Sequence, residues 1–114
     1  MEGCSRFGYT LYYRMQVVSK RTLRLFWEKY PQAETPLRTW HTTVEKAAWD
    51  RPQDIREQFG SVDFVADNRV IFNIGGNKFR LVAHVSYEFK AILVKFVGTH
   101  AEYDEIDAAT VGGR

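Results

Sequence analysis

Several things are scarce in this sequence, and each scarcity removes a class of explanation. In 114 residues there is one cysteine, Cys4. A single thiol makes neither an intrachain disulfide nor a cysteine-based metal cluster, which fits a reducing, cytoplasmic setting. No apolar run approaches the roughly 20 residues of a membrane-spanning helix. The opening MEGCSRFGYTLYYR lacks a basic start followed by a long apolar stretch, so it is a poor secretory signal. No internal repeat or low-complexity block stands out. Net charge is scarce as well: 16 Lys and Arg against 14 Asp and Glu, or +2. The total therefore does not argue for a nucleic-acid or membrane partner.

What is present is an ordinary globular balance, 45% hydrophobic and 26% charged. The length suits one domain with one modest core. Charge distribution says more than the total. Arg69–Gly98 carries five cations (Arg69, Lys78, Arg80, Lys90, Lys95) against Glu88, a net +4. Thr99–Val111 has no Lys or Arg and four acids, Glu102, Asp104, Glu105 and Asp107. A basic segment followed by an acidic one suits a surface that holds phosphate in one place and not in another.

Residues 1–14 are aromatic, contain glycine and show no period. They read as an N-terminal extension of doubtful origin. Met15 reads as the natural start of a single domain, 15–114, although a genuine arm pairing as an extra strand is the other reading. Met15–Val18 is strand-like. Ser19 is an expected N-cap for a helix from about Lys20 to Lys29, with Leu23, Phe26, Trp27 and Tyr30 on one face. Pro31 ends it. Thr35-Pro36 reads as N-cap and first helical position of a second helix running to about Trp49, with Leu37, Trp40, Val44 and Ala48 as its stripe. Asp50 is placed to cap a short third helix. The three tryptophans are expected in the core.

After Gly60 the pattern changes to strands. SVDFVADN is strand-like and ends at the Asp67-Asn68 turn. RVIFNI, FRLVAHVSY and AILVKFVGT follow, the first two joined by a Gly75-Gly76-Asn77 hairpin turn. The simplest architecture is α+β: order β-α-α-β-β-β with a short C-terminal helix or turn, an antiparallel sheet, and two helices on one face. Strict alternation puts Phe79, Leu81, Ala83, Val85 and Tyr87 toward the helices. It assigns Ile92, Val94, Phe96 and Gly98 to one face of the last strand, and Leu93, Lys95, Val97 and Thr99 to the other. The face away from the helices then holds Arg69, Asn73, Arg80 and Lys95, a candidate surface for a phosphate backbone.

At the rim of that face stands KFVGTHAEYDEID. An arginine fixed in a central strand suits a phosphate clamp, because its planar fork makes bidentate contacts. His100 gives or takes a proton near neutral pH. Tyr103, one helical turn on, lies on the same side and offers a ring or a hydroxyl. Arg80, His100 and Tyr103 together suit RNA cleavage without a metal or other cofactor, in which the 2′-OH attacks the adjacent phosphate. The bland reading stands beside it: strand cations that serve solubility, and a histidine in a polar cap. Glu102 is a candidate base. Asp104, Glu105 and Asp107 read as a solvated turn. GGN is a hairpin and not a phosphate loop.

Three stretches carry a family resemblance: VSKRTLRLFWEKYPQAETPLRTW (Val18–Trp40), NRVIFNIGGNKFRLV (Asn68–Val82) and FVGTHAEYDEIDA (Phe96–Ala108). Together they resemble the HigB-type toxins of bacterial type II toxin–antitoxin modules, within the RelE-like fold, over roughly Met15–Val111. The resemblance implies a ribosome-dependent endoribonuclease that cleaves translated mRNA. It also implies a cognate helix-turn-helix antitoxin that neutralises the toxin and carries the complex to operator DNA. By position, Arg80 matches the strand arginine on the scissile phosphate, and His100 and Tyr103 match the C-terminal pair. Lys78 and Lys95 are candidate further cations. The alternative is a catalytically inactive RelE-like module acting mainly in the antitoxin–DNA repressor complex.

Overall fold

The computed structural model describes residues 15–65 and 67–112. The reading of residues 1–14 lies outside them. Five strands form one sheet: β1 (Gln16–Val18), β2 (Val62–Val65), β3 (Arg69–Ile74), β4 (Phe79–Ser86) and β5 (Ala91–Thr99), in the order β1-β5-β4-β3-β2. The helices are α1 (Lys20–Lys29), α2 (Glu34–Glu45), α3 (Pro52–Gln58) and α4 (His100–Tyr103), with a 3₁₀ turn at Pro31–Ala33. The expected α+β architecture is present, with VDFV added as a strand of its own beside β3. Strands β2 to β5 are antiparallel, as short connections require. The expectation of an antiparallel sheet fails at one edge, where β1 runs parallel to β5. No hairpin links those two, so nothing imposes opposite directions.

Helix ends depart from the sequence signals for local reasons. Ser19 is not a side-chain cap: it sits at φ 78° with no cap hydrogen bond, and its carbonyl accepts from Thr22 N–H at 3.0 Å. The sharp turn out of β1 uses its backbone instead. The 3₁₀ turn runs directly into α2, so Thr35 and Pro36 lie inside the first helical turn, where proline's missing N–H is no loss. Helix α2 stops at Glu45, so Ala47 is buried and Ala48 exposed. At α3 the cap position belongs to Arg51, not Asp50. Asp54 reaches back to accept from the N–H of Asp50 (2.8 Å) and Arg51 (3.1 Å). Those backbone bonds, the Asp50 one first, hold its carboxyl below the usual value.

The core lies between sheet and helices. Leu23, Phe26, Leu37, Trp40, Val44 and Ile55 pack against Phe72, Leu81, Val85 and Ile92. Trp40 and Trp49 are buried as expected, whereas Trp27 and Tyr30 are only partly covered.

The register contains one irregularity. Val82 pairs with Phe96 and Ala83 with Val94, leaving Lys95 as an extra residue, a β-bulge. Alternation inverts there. Ile92 and Val94 face the helices, opposite Val85 and Ala83. Beyond the bulge Val97 faces them, opposite Leu81, while Phe96 and Gly98 point the other way beside Val82 and Arg80. The uniform alternation expected along Ile92–Thr99 is therefore wrong for its second half.

The second sheet face is also less open than expected. Ile71 and Val82, which belong to it, are 4% and 0% exposed. Arg69 is 3% exposed and donates from one guanidinium nitrogen to the carbonyls of Ala108 (3.0 Å) and Val111 (2.7 Å). A Cβ on Gly112 would stand 2.7 Å from the Lys95 carbonyl. The segment after α4 thus crosses this face and is tied down at both strands. Among the described residues no helix is long and apolar enough to cross a membrane.

Arg69 should therefore behave as a structural residue. Arg69→Ala is expected to lose roughly 1.5–3 kcal/mol of stability, the range for hydrogen bonds from a charged group. Amide exchange should rise across 106–112. Denaturant melts and hydrogen exchange test this, and unchanged protection of that segment would contradict it.

Candidate active site

Strand β4 is central, with β3 on one side and β5 on the other. Arg80 projects from it on the face away from the helices, between Asn73 and Gly98 in cross-strand register. Strand β5 ends at Thr99, whose Oγ1 accepts from Glu102 N–H at 3.1 Å. In return Glu102 Oε1 accepts from Thr99 N–H at 2.9 Å. This reciprocal cap starts α4 at His100. Two more contacts fix the turn: His100 N–H donates to the Lys78 carbonyl at 3.3 Å, and Tyr30 Oη donates to Glu102 Oε2 at 3.5 Å. Glu102 is thus occupied in holding α4, and the idea of it as a base loses its basis. The signal was in the sequence, since Thr-His-Ala-Glu has the spacing of a capping box.

Placed this way, the three proposed catalytic side chains converge. Arg80 Nη2 lies 3.1 Å from His100 Nε2. Arginine only donates, so a hydrogen bond here requires Nε2 as the acceptor, with the ring proton on Nδ1. That nitrogen faces Asp104 Oδ2 at 3.7 Å, beyond hydrogen-bond reach. The Arg80 guanidinium carbon stands 5.0 Å from the centre of the Tyr103 ring, a cation–π contact. The Nε–H of Arg80 is buried, and no described acceptor reaches it. Its hydrogen bonding is not saturated by the protein, in contrast to Arg69. The His100 side chain is 50% exposed, so the cluster opens to solvent.

The remaining predicted contacts divide. Lys78 is exposed in the hairpin directly behind His100. Asn73 flanks Arg80, with its amide nitrogen donating to the Ser61 carbonyl (3.3 Å) and hydroxyl (2.9 Å). Lys95 occupies the bulge, under Gly112. Arg69 does not join the group, being buried under the C-terminal segment. Sequence reasoning passed over Gly98. A Cβ there would lie 2.5 Å from Phe96 Cζ and 2.9 Å from Glu102 Oε1, so glycine is what lets the ring and the capping carboxylate meet opposite Arg80. Among the described residues no three His, Cys, Asp or Glu side chains cluster as a metal site.

The family model of HigB toxins, the RelE-like toxic component of a toxin–antitoxin system, matches residues 33–106. The chain belongs to this HigB toxin family. It is 35% identical over 92 residues to the mRNA interferase toxin HigB of Escherichia coli K12, covering 79% of this chain and 88% of that protein. The same figures hold for the mRNA interferase HigB of Shigella flexneri. A more distant mRNA interferase HigB, from Escherichia coli O6:H1, is 28% identical over 94 residues, covering 81% of this chain and 91% of its own. The segment matched by the HigB family model holds Arg80, His100, Glu102 and Tyr103, while Tyr30 lies before it.

Gly98→Ala tests the packing around Arg80. Overfilling the site is expected to cost about 1–3 kcal/mol. NMR shift changes should concentrate at Phe96 and along Thr99–Tyr103. Wild-type stability with an unshifted α4 would show that Phe96 moves aside freely.

Proposed function

We propose that this chain is a ribosome-dependent endoribonuclease toxin that cleaves translated mRNA by 2′-OH attack without a metal. A cognate helix-turn-helix antitoxin neutralises it in the cytoplasm and carries the complex to operator DNA. The observation that carries the reading is the convergence of Arg80, His100 and Tyr103 on one solvent-open point. The names of the HigB relatives support the reaction class.

In the resting arrangement the lone pair of His100 Nε2 is covered by Arg80. A scissile phosphate is a stronger acceptor than imidazole, so its non-bridging oxygens draw the guanidinium to themselves and release Nε2. The freed nitrogen takes the proton of the 2′-OH. The 2′-oxygen bonds to phosphorus, the bond to the 5′-oxygen breaks, and a 2′,3′-cyclic phosphate forms. Tyr103, stacked on the same guanidinium, supplies the proton that the departing 5′-oxygen needs. Arg80 offsets the charge that builds on the phosphate oxygens. Lys78, Asn73 and Lys95 serve as RNA contacts around this point. Arg69 is left out of that set.

Charge supports dependence on the ribosome. Of the five cations between Arg69 and Gly98, Arg69 is buried on tail carbonyls and Lys90 pairs with Asp50, which leaves Lys78, Arg80 and Lys95 to face RNA, followed at once by four acids. Such a surface neutralises few phosphates and binds free RNA weakly at physiological salt. The ribosome supplies the missing contacts and presents the mRNA.

His100→Ala and Arg80→Ala are each expected to slow cleavage on programmed ribosomes by about 10²–10³-fold, the range for lost proton transfer or a lost oxyanion donor. Circular dichroism should show both folded. A substrate with a 5′-bridging sulfur, which leaves without a proton, should restore Tyr103→Phe but not His100→Ala. Wild-type rates in both alanine variants would refute the site. Rescue of His100→Ala instead would exchange the two proton-transfer roles.

A further inference from the structure

His100 has a second side. Away from Arg80 it forms one wall of a cleft of about 430 Å³ between the end of α1 and the β3–β4 hairpin. The opposite wall is Lys29, Tyr30 and Gln32, and the hairpin contributes Asn77 and Lys78. We propose that this cleft is a nucleotide subsite, in which Tyr30 stacks on the base of a residue flanking the scissile phosphate while Lys29 and Lys78 hold the adjoining phosphates. The proposal rests on the cleavage reading above for the identity of the phosphate on the Arg80 side.

Three features point to single-stranded RNA. The first is the aromatic platform. Tyr30 packs in tilted contacts on Phe26 (4.8 Å between ring centres) and Phe79 (6.4 Å), yet it is only partly buried and lines the cleft. A ring already braced against the core costs little to order when a base stacks on it. The second is charge. Lys29 and Lys78 come from opposite walls, and both are exposed. Lys29 Nζ already lies 5.4 Å from the Tyr30 ring centre, so cation and stacking face are presented together. Among the described residues no acidic side chain lines the cleft. The third is continuity. His100 belongs to both the cleft and the Arg80 cluster, so one strand can place its phosphate at Arg80 and a neighbouring base beyond the imidazole. The amides of Gln32 and Asn77 offer donors and acceptors to a base edge.

The Tyr30–Glu102 hydrogen bond joins the two halves. Glu102 caps α4 and so holds His100, while Tyr30 forms part of the opposite wall of the cleft.

Two measurements on the full chain test this. The first uses a short single-stranded RNA, 2′-O-methylated throughout so that it cannot be cleaved, with one 4-thiouridine moved along it. Irradiation should link one position to the peptide containing Tyr30. The second is cleavage on programmed ribosomes. Tyr30→Leu should lower kcat/KM by about 5- to 150-fold, the loss of one stacked base. Tyr30→Phe should lose less, and the surface variant Lys78→Ala should raise KM. Thermal melts separate a folding defect in Tyr30→Leu, in which case Lys78→Ala and the cross-link decide. Cross-linking confined to other segments, with Lys78→Ala at wild-type KM, overturns the subsite. A wild-type protein that cross-links at Tyr30 yet cleaves no mRNA keeps the subsite and sinks the cleavage reading.

Discussion

The site depends on one extra residue in β5. The bulge at Lys95 inverts the alternation of the strand, so Phe96 and Gly98 turn away from the helices and Val97 turns toward them. Gly98 then stands opposite Arg80, where the lack of a side chain leaves room for the Phe96 ring and the Glu102 carboxylate. Thr99 arrives in position to cap α4, and α4 begins with His100 next to Arg80. Without the bulge every side chain from Phe96 to Thr99 would change face. Bulges bend a strand and re-aim its side chains, and here the re-aimed end is the one that carries the chemistry.

Two arginines on the same sheet face show how burial divides roles. Arg69 and Arg80 both point away from the helices. Arg69 lies where the C-terminal segment crosses, and its guanidinium meets the carbonyls of Ala108 and Val111. A buried charge has to be satisfied in this way, and what it gains is a pinned tail. Arg80 lies beyond the tail, beside a histidine lone pair and an aromatic face, with one donor unfilled. The acidic tail of the sequence is thus not only a solvated turn. Its end, Ala108–Gly112, lies against this sheet face, hydrogen-bonded to Arg69 and packed on Lys95.

Much of this was legible in the residues. Two-residue periodicity located β3, β4 and β5, and the Gly75-Gly76-Asn77 turn linked the first two. Helical stripes located α1 and α2. Spacing alone pointed only weakly to Arg80, His100 and Tyr103; the resemblance to HigB-type toxins singled them out, and the fold brings them side by side. Other features were not legible, for physical reasons. A bulge leaves no compositional mark, so the face assignment of Phe96–Thr99 inverted. Arg69 and Arg80 look alike in sequence, and only the path of the tail separates them. Ser19 has a capping side chain, but the chain's exit from β1 required a left-handed backbone there. Tyr30 looked like the last member of a core stripe, and its place in the wall of a cleft emerged only when the hairpin was placed across from it.

The central claim is that Arg80 organises the site through the lone pair of His100 Nε2. ¹⁵N NMR of the imidazole in the unliganded toxin tests it most directly. At a pH well above 6.5, where an ordinary imidazole is neutral, the account predicts the proton on Nδ1 and a bare, accepting Nε2 in His100, reverting toward the usual Nε2–H form in Arg80→Ala. A wild-type His100 already protonated at Nε2, unchanged by that substitution, would contradict it.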